Sequence, residues 1–152
     1  MENVTVRIVP LAELTGAPNF QQLVDSYAEE SALPVLGKPI TNFASYEALA
    51  AAGALTVICA FVDDTIVGFI GMLTVLSPHY GVLISSTESL YVLPDHRKGG
   101  ACQKLLSAAS DAARERGAVA LVVSAPLNGV LDKVLPHWGF AETYRFYTKG
   151  LQ

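Results

Sequence analysis

Two residues, Asp63 and Asp64, separate two long apolar runs, Leu55–Val62 and Thr65–Leu76. So short a connection predicts a tight hairpin of adjacent antiparallel strands, although Asp-Asp is a less favourable turn than Asp-Gly. The loop Ser77-Pro-His-Tyr-Gly81 follows, then another strand, Val82–Val92, stopped by Pro94.

The remaining elements are read around this hairpin. Val4 to Leu11 alternates polar and apolar residues and predicts a first strand. From Pro18 to Glu30 the apolar Phe20, Leu23, Val24 and Tyr27 are three or four apart, the spacing of a helix face. Ser31 to Thr41, with Pro34, Gly37 and Pro39, reads as a loop, and Ser45 to Ala52 as a second helix capped by Ser45 and ended by Gly53. Gly99 to Arg116 reads as a helix, with Leu105, Leu106, Ala109 and Ala113 on one face and Gly117 closing it. Val119 to Ser124 is a short, nearly all-apolar strand of the kind buried on both faces. Asn128 to Trp138 is a short helix and Phe140 to Tyr147 a final strand. The order is β-α-α-β-β-β-α-β-α-β, a mixed α/β (α+β) chain. With no internal repeat, linker or low-complexity stretch, residues 1–152 are expected to form a single domain.

Bulk properties narrow the function. The 152 residues are 51% hydrophobic and 16% charged, which argues for a well-filled interior and against disorder. No apolar run reaches the roughly 18 uninterrupted residues of a membrane span. Met1-Glu2-Asn3-Val4 lacks the basic and apolar regions of a secretion signal, so a cytoplasmic setting without membrane attachment is expected. Cys59 and Cys102 match no zinc or redox spacing, which predicts reduced thiols and no metal. The net charge of −4, with no basic run, is unlike a phosphate-tracking protein, and nucleic acid is set aside as a partner. An acidic balance suits a cationic partner such as an amine.

The informative stretch is Glu88-Ser-Leu-Tyr-Val-Leu-Pro-Asp-His-Arg-Lys-Gly-Gly-Ala-Cys102. A strand runs into a loop with Arg97 and Lys98, then two glycines, then a helix. The first amides of a helix are unpaired and its dipole is positive there. Gly99 and Gly100 let a phosphate approach the backbone, and the two basic residues add charge. The same glycines also suit an ordinary sharp strand-to-helix turn. The segment is neither a dinucleotide fingerprint nor a P-loop, since G-x-G-x-x-G and Gly-Lys-Ser/Thr are both missing.

Here the sequence resembles the GNAT acyl-CoA N-acyltransferases. Their signature is a strand ending in V-x-P followed by R/Q-x-x-G-x-G/A at a helix start. This chain has Val92-Leu93-Pro94, then Arg97-Lys98-Gly99-Gly100-Ala101-Cys102, with cysteine where glycine or alanine is usual. A second landmark, an asparagine opening the next helix and a Gly-Phe pair at its end, is matched by Asn128 and Gly139-Phe140.

The resemblance implies a GNAT fold, a central, mostly antiparallel sheet flanked by helices and splayed where acetyl-CoA enters. It implies acetyl-CoA as co-substrate, with the pyrophosphate on the amides of Arg97, Lys98, Gly99, Gly100, Ala101 and Cys102. The pantetheine arm lies along Leu90, Tyr91 and Val92, pairing with backbone at Leu90 and Val92. Asn128 touches that arm from the far side, caps its helix, or does both. Glu88 is the candidate base: it is the only acid between Asp64 and Asp95, and strand alternation places it on the face of Leu90 and Val92. The Leu90 amide would stabilise the oxyanion. Tyr27, Glu29, Glu30, His79 and Tyr80 fall in the family's acceptor region. Many relatives carry a tyrosine, four residues before the Gly-Phe pair, that protonates the departing thiolate. Here that position is Leu135, leaving the acid unassigned; Tyr144, Tyr147 and His137 are either substitutes or, as the commoner case, packing or rim residues. Cys102, at a helix start, is either a reactive thiol of depressed pKa or a small packing residue.

The implied reaction is direct attack on acetyl-CoA by an amine borne on a small molecule or a protein. The alternatives are a CoA-binding regulatory module without turnover, suggested by Leu135, and an acyltransferase for a longer acyl-CoA. Paired subunits are common in the family, so a homodimer is compatible with the resemblance.

Overall fold

The computed structural model describes residues 2–152. One sheet runs in chain order: β1 (Thr5–Val9), β2 (Leu55–Val62), β3 (Thr65–Ser77), β4 (Val82–Val92) and β5 (Leu121–Val122). β1 to β4 are antiparallel neighbours, and β5 lies parallel to β4. The helices are α1 (Leu11–Thr15), α2 (Phe20–Ser31), α3 (Phe43–Ala51), α4 (Ala101–Glu115) and α5 (Val130–Val134), with 3-10 turns at Pro34–Leu36, Pro94–Gly99 and Leu135–Trp138. The expected mixed, mostly antiparallel sheet flanked by helices is therefore present.

The Asp63-Asp64 hairpin closes with both residues at positive φ, 47° and 63°. Two positive φ values mark a type I′ turn, whose twist matches that of the strands it joins. Apolar layers cover both faces of β2 and β3. Ile58, Ala60, Val67, Ile70 and Met72 pack under the Leu105, Leu106, Ala109 and Ala113 stripe of α4. Val57, Cys59, Phe61 and Phe69 pack on the other face with Leu14 of α1 and Leu23 of α2. Thr56 to Phe61 are buried without a break, so β2 reads as a continuous apolar run although its neighbours are antiparallel.

Several boundaries differ from expectation. The short helix α1 has only Leu11 and Leu14 as an apolar pattern, too little to announce it. The cap of α3 is Asn42, not Ser45: its side-chain oxygen accepts from the Ser45 amide at 3.0 Å. The helix expected from Gly99 begins at Ala101, because Pro94–Gly99 winds as a 3-10 turn and Gly100 turns left-handed at φ 80°.

The C-terminal part differs most. β5 spans only Leu121–Val122, and Val119 and Val122 are exposed, so the strand is not buried on both faces. The final strand expected at Phe140–Tyr147 is not formed: the segment is irregular and Tyr144, Phe146 and Tyr147 are exposed. A strand needs a partner ladder for its amides and carbonyls, and the two residues of β5 offer little template. Phe140 packs against the α4 cluster, and Arg145 and Glu142 pair three residues apart beyond it.

Candidate active site

The site begins with an irregularity in β4. Gly71 of β3 opposes Ser89, but Met72 opposes Thr87, leaving Glu88 without a partner. This β-bulge resets the alternation of side chains. Leu90 and Val92 pack with the α4 cluster, and Tyr91 packs on the opposite face with α2. Glu88 lies with Ser89 on that α2 side, so the shared face expected for Glu88, Leu90 and Val92 does not exist. The bulge has re-aimed the carboxylate. Gly71 makes room for it, since a Cβ there would stand 2.7 Å from Ser89 Oγ and 3.4 Å from Glu88 Oε2. The Gly71 amide instead donates to Ser89 Oγ at 3.1 Å.

Glu88 opens into a cavity of about 460 Å³ between α1, α2, α3 and the sheet. Tyr46 of α3 crosses it, its hydroxyl donating to Glu88 Oε1 at 2.7 Å. Burial, then the bond to Glu88, pushes the Tyr46 phenol well above its ordinary pKa, so it stays a proton donor. Tyr27 of α2 packs edge-on to Phe69 with ring centres 5.7 Å apart, and against Tyr91 at 5.5 Å. Its phenol is also raised, by burial and then by the Glu88 charge, while a hydrogen bond with the Leu90 backbone works the other way. Of the five residues expected near an acceptor, Tyr27 lines the cavity. Glu29 is exposed, Glu30 pairs with Arg97, and His79 meets Tyr80 edge-on at the β3–β4 turn. Sequence reasoning missed Tyr46 because no local signal ties it to an acid 42 residues away.

The second half of the site lies at the start of α4. No side chain caps this 15-residue helix, and its first backbone bond runs from the Lys104 amide to the Gly100 carbonyl. The amides of Ala101, Cys102 and Gln103 are therefore left over by the helix. Nothing stands within 4 Å of where a Cβ of Gly100 would project, whereas a Cβ on Gly99 would meet Glu2 Oε2 at 3.2 Å. Beside this open, dipole-positive end, β5 pairs with β4 only at Ser85 and Ser86. Among the described residues, Thr87 to Val92 have no strand partner on the side away from β3. An uncapped helix start next to an unpaired strand edge fits a ligand with a phosphate head and an extended polar arm.

Of the two basic residues, Arg97 differs from expectation. Arg97 does not extend over the helix start. Its Nε donates to the Val92 carbonyl at 2.8 Å, Nη2 donates to Glu30 Oε2 at 2.5 Å, and the guanidinium lies over the Tyr91 ring. It ties the end of β4 to α2. Lys98 is exposed. Cys102 is not an activated thiol: burial raises its pKa, and the nearby Arg97 charge offsets this only in part.

Asn128 does not cap α5. It sits in the preceding turn at φ 60°, exposed, its amide 3.4 Å from Asp132 Oδ2, and Gly129 holds the cap position. Leu135 is buried in the α4 cluster. The acid substitutes Tyr144, Tyr147 and His137 are exposed. Among the described residues no group of three or more His, Cys, Asp or Glu could hold a metal ion, and no helix is long and apolar enough to cross a membrane.

The fold is similar to that of solved acetyltransferases. The ribosomal-protein-alanine N-acetyltransferase from Brucella melitensis biovar Abortus 2308 is 26% identical, with a TM-score of 0.70 over 97% of this chain and 98% of its own. The aminoglycoside acetyltransferase HMB0005, from an uncultured soil metagenomic sample, superposes with a TM-score of 0.76 at 15% identity, covering 99% of both chains. AAC(6')-Iy, solved with a bisubstrate analog of CoA and acetylneamine, is 22% identical with a TM-score of 0.73, over 97% of this chain and 98% of its own. Among curated proteins none matches the sequence. The model of the acetyltransferase (GNAT) family matches residues 20–140, and the chain belongs to that family.

Proposed function

We propose that the protein transfers an acetyl group from acetyl-CoA to an amine by direct attack, with Glu88 as the proton acceptor. The observation that carries this reading is the bulge at Glu88, which turns one solvent-accessible carboxylate into an open cavity beside the unpaired edge of β4. Acetyl-CoA would supply a thioester carbonyl open to attack. The uncapped start of α4, from Arg97 to Cys102, holds its pyrophosphate through backbone amides more than through the Arg97 side chain, which Glu30 and the Val92 carbonyl engage. Leu90, Tyr91 and Val92 receive the pantetheine arm on the strand edge, and Asn128 reaches it from the exposed turn before α5.

An alkyl amine has a pKa near ~10 and is mostly protonated at neutral pH, so it needs a base. Glu88 takes that proton, directly or through water, while Tyr46 holds Oε1. The nitrogen lone pair forms the N–C bond and the Leu90 amide donates to the carbonyl oxygen as charge builds on it. The C–S bond then breaks with its electron pair on sulfur. A thiolate whose parent thiol has a pKa near ~8.5 is a fair leaving group, so the buried Leu135 does not block turnover. A cytoplasmic setting and a paired-subunit assembly belong to the same reading.

Two measurements test it together. Acetyl-CoA should raise the melting temperature, since a ligand bound only by the folded state stabilises it by mass action. Free CoA thiol should then appear steadily when an amine is added. A thermal shift without amine-dependent thiol release would assign the chain to CoA-binding regulation instead, and absence of both would remove the reading.

A further inference from the structure

The acceptor cavity carries chemistry of its own beyond the bare requirement for an amine. Its walls include the aromatic rings of Phe20, Tyr27, Phe43 and Phe69, with Leu49 and Val57 between them. Among the described residues that line it, Glu88 is the one bearing a formal charge; the remaining polar groups are hydroxyls and the Asn42 amide. One carboxylate oxygen is already bonded to Tyr46, and the other faces the open floor over Gly71. The lip continues the apolar character, since Ile40, a lining residue, is 88% exposed.

From this arrangement we infer that the acceptor is a primary amine with a single positive charge, carried on an apolar, aromatic body of one or two rings. The inference rests on the acetyl-transfer reading above and names the class of its acceptor. A cation held among apolar walls is favoured by a counter-charge, and the cavity has one to give in the solvent-accessible Glu88 carboxylate. A polycationic sugar would bring further ammonium groups that meet no second carboxylate among the described lining residues, a poorer match than one charge on an apolar body. A long acyl chain would fill the walls equally well but would place methylenes against the Glu88 carboxylate with no cation beside it. The volume of about 460 Å³ falls in the range that encloses compact ring systems.

The test is a comparison of acceptors and donors on the intact chain. With acetyl-CoA as donor, kcat/KM is measured for tryptamine, for kanamycin and for a short peptide beginning with alanine. Tryptamine should lead by about a hundredfold or more. Ser45, at the exposed first turn of α3, also lines the cavity. Ser45→Asp adds a second carboxylate where an acid suits the helix dipole, and should raise the rate with a diamine such as cadaverine relative to tryptamine by about tenfold. A preference for kanamycin or the peptide would overturn the class while leaving acetyl transfer standing. So would a preference of decanoyl-CoA over acetyl-CoA as donor. If no amine is turned over, the acetyl-transfer reading fails, and calorimetry decides the class separately. Tryptamine binding at least tenfold tighter than kanamycin, weakened by Glu88→Gln, supports the class; failure of tryptamine to bind overturns it.

Discussion

Asp63 and Asp64 hold the hairpin at positive φ without being glycine, a backbone region unfavourable to most L-residues by roughly 1–2 kcal/mol each. Asp64→Gly should therefore stabilise the protein by about 1 kcal/mol, read as a rise in melting temperature of roughly 2–4 °C. Tyr46 sits at the other extreme of consequence, one hydroxyl on one carboxylate oxygen. Tyr46→Phe removes that bond without opening a cavity, and kcat should fall by about tenfold, with acetyl-CoA affinity unchanged. A change confined to affinity would place Tyr46 with the cofactor instead. Single residues were unevenly legible. Glu88 stood out as the only acid between Asp64 and Asp95. Its face did not, because the bulge depends on the register with Gly71 and Met72, and period-two alternation carries no sign of an inserted residue. Arg97 was legible as a charge near a helix start, while its partner Glu30, from a distant helix, was not.

At the scale of elements, strands with strong local punctuation were read to within a residue: β2, β3 and β4 are bounded by Asp63-Asp64, the Gly81 turn and Pro94. Elements that depend on a tertiary partner were not. The segment beyond Phe140 has a strand-like composition, but β5 gives it too short an edge on which to pair. Helix α4 was legible through its apolar stripe, and its start carries a sharp expectation. Gly100 is left-handed, so Gly100→Val should strain the turn and lower the melting temperature by a few degrees. The same variant should lose the stabilisation by acetyl-CoA, since a side chain would project into the open space before the free amides. A folded Gly100→Val protein that keeps the full acetyl-CoA shift would remove the phosphate role from this turn.

The whole molecule is a sheet between two apolar layers, and the layers divide its work. The α4 layer is for stability. Leu105 is fully buried in it, so Leu105→Ala should cost about 2–5 kcal/mol, while Leu127→Ala, on the surface, should change little. The opposite layer gives way to the cavity, and it also holds Cys59, whose thiol burial pushes from 9.0 up to about 12. The folded state therefore keeps a proton that the unfolded chain releases above its ordinary pKa. This contribution to stability is fully present below pH 9 and is lost as pH rises toward 12. The urea midpoint should fall over that range, and less steeply in Cys59→Ala. The central claim is that Glu88 relieves an amine of its proton in that cavity, and one measurement reaches it directly: CoA-thiol release by the Glu88→Gln protein against pH, with acetyl-CoA affinity measured alongside. Turnover at neutral pH should fall about a hundredfold or more, affinity should stay within a few-fold, and the deficit should shrink as pH approaches the amine's own pKa. Near-normal turnover across the whole range, or loss of acetyl-CoA binding together with activity, would contradict the claim.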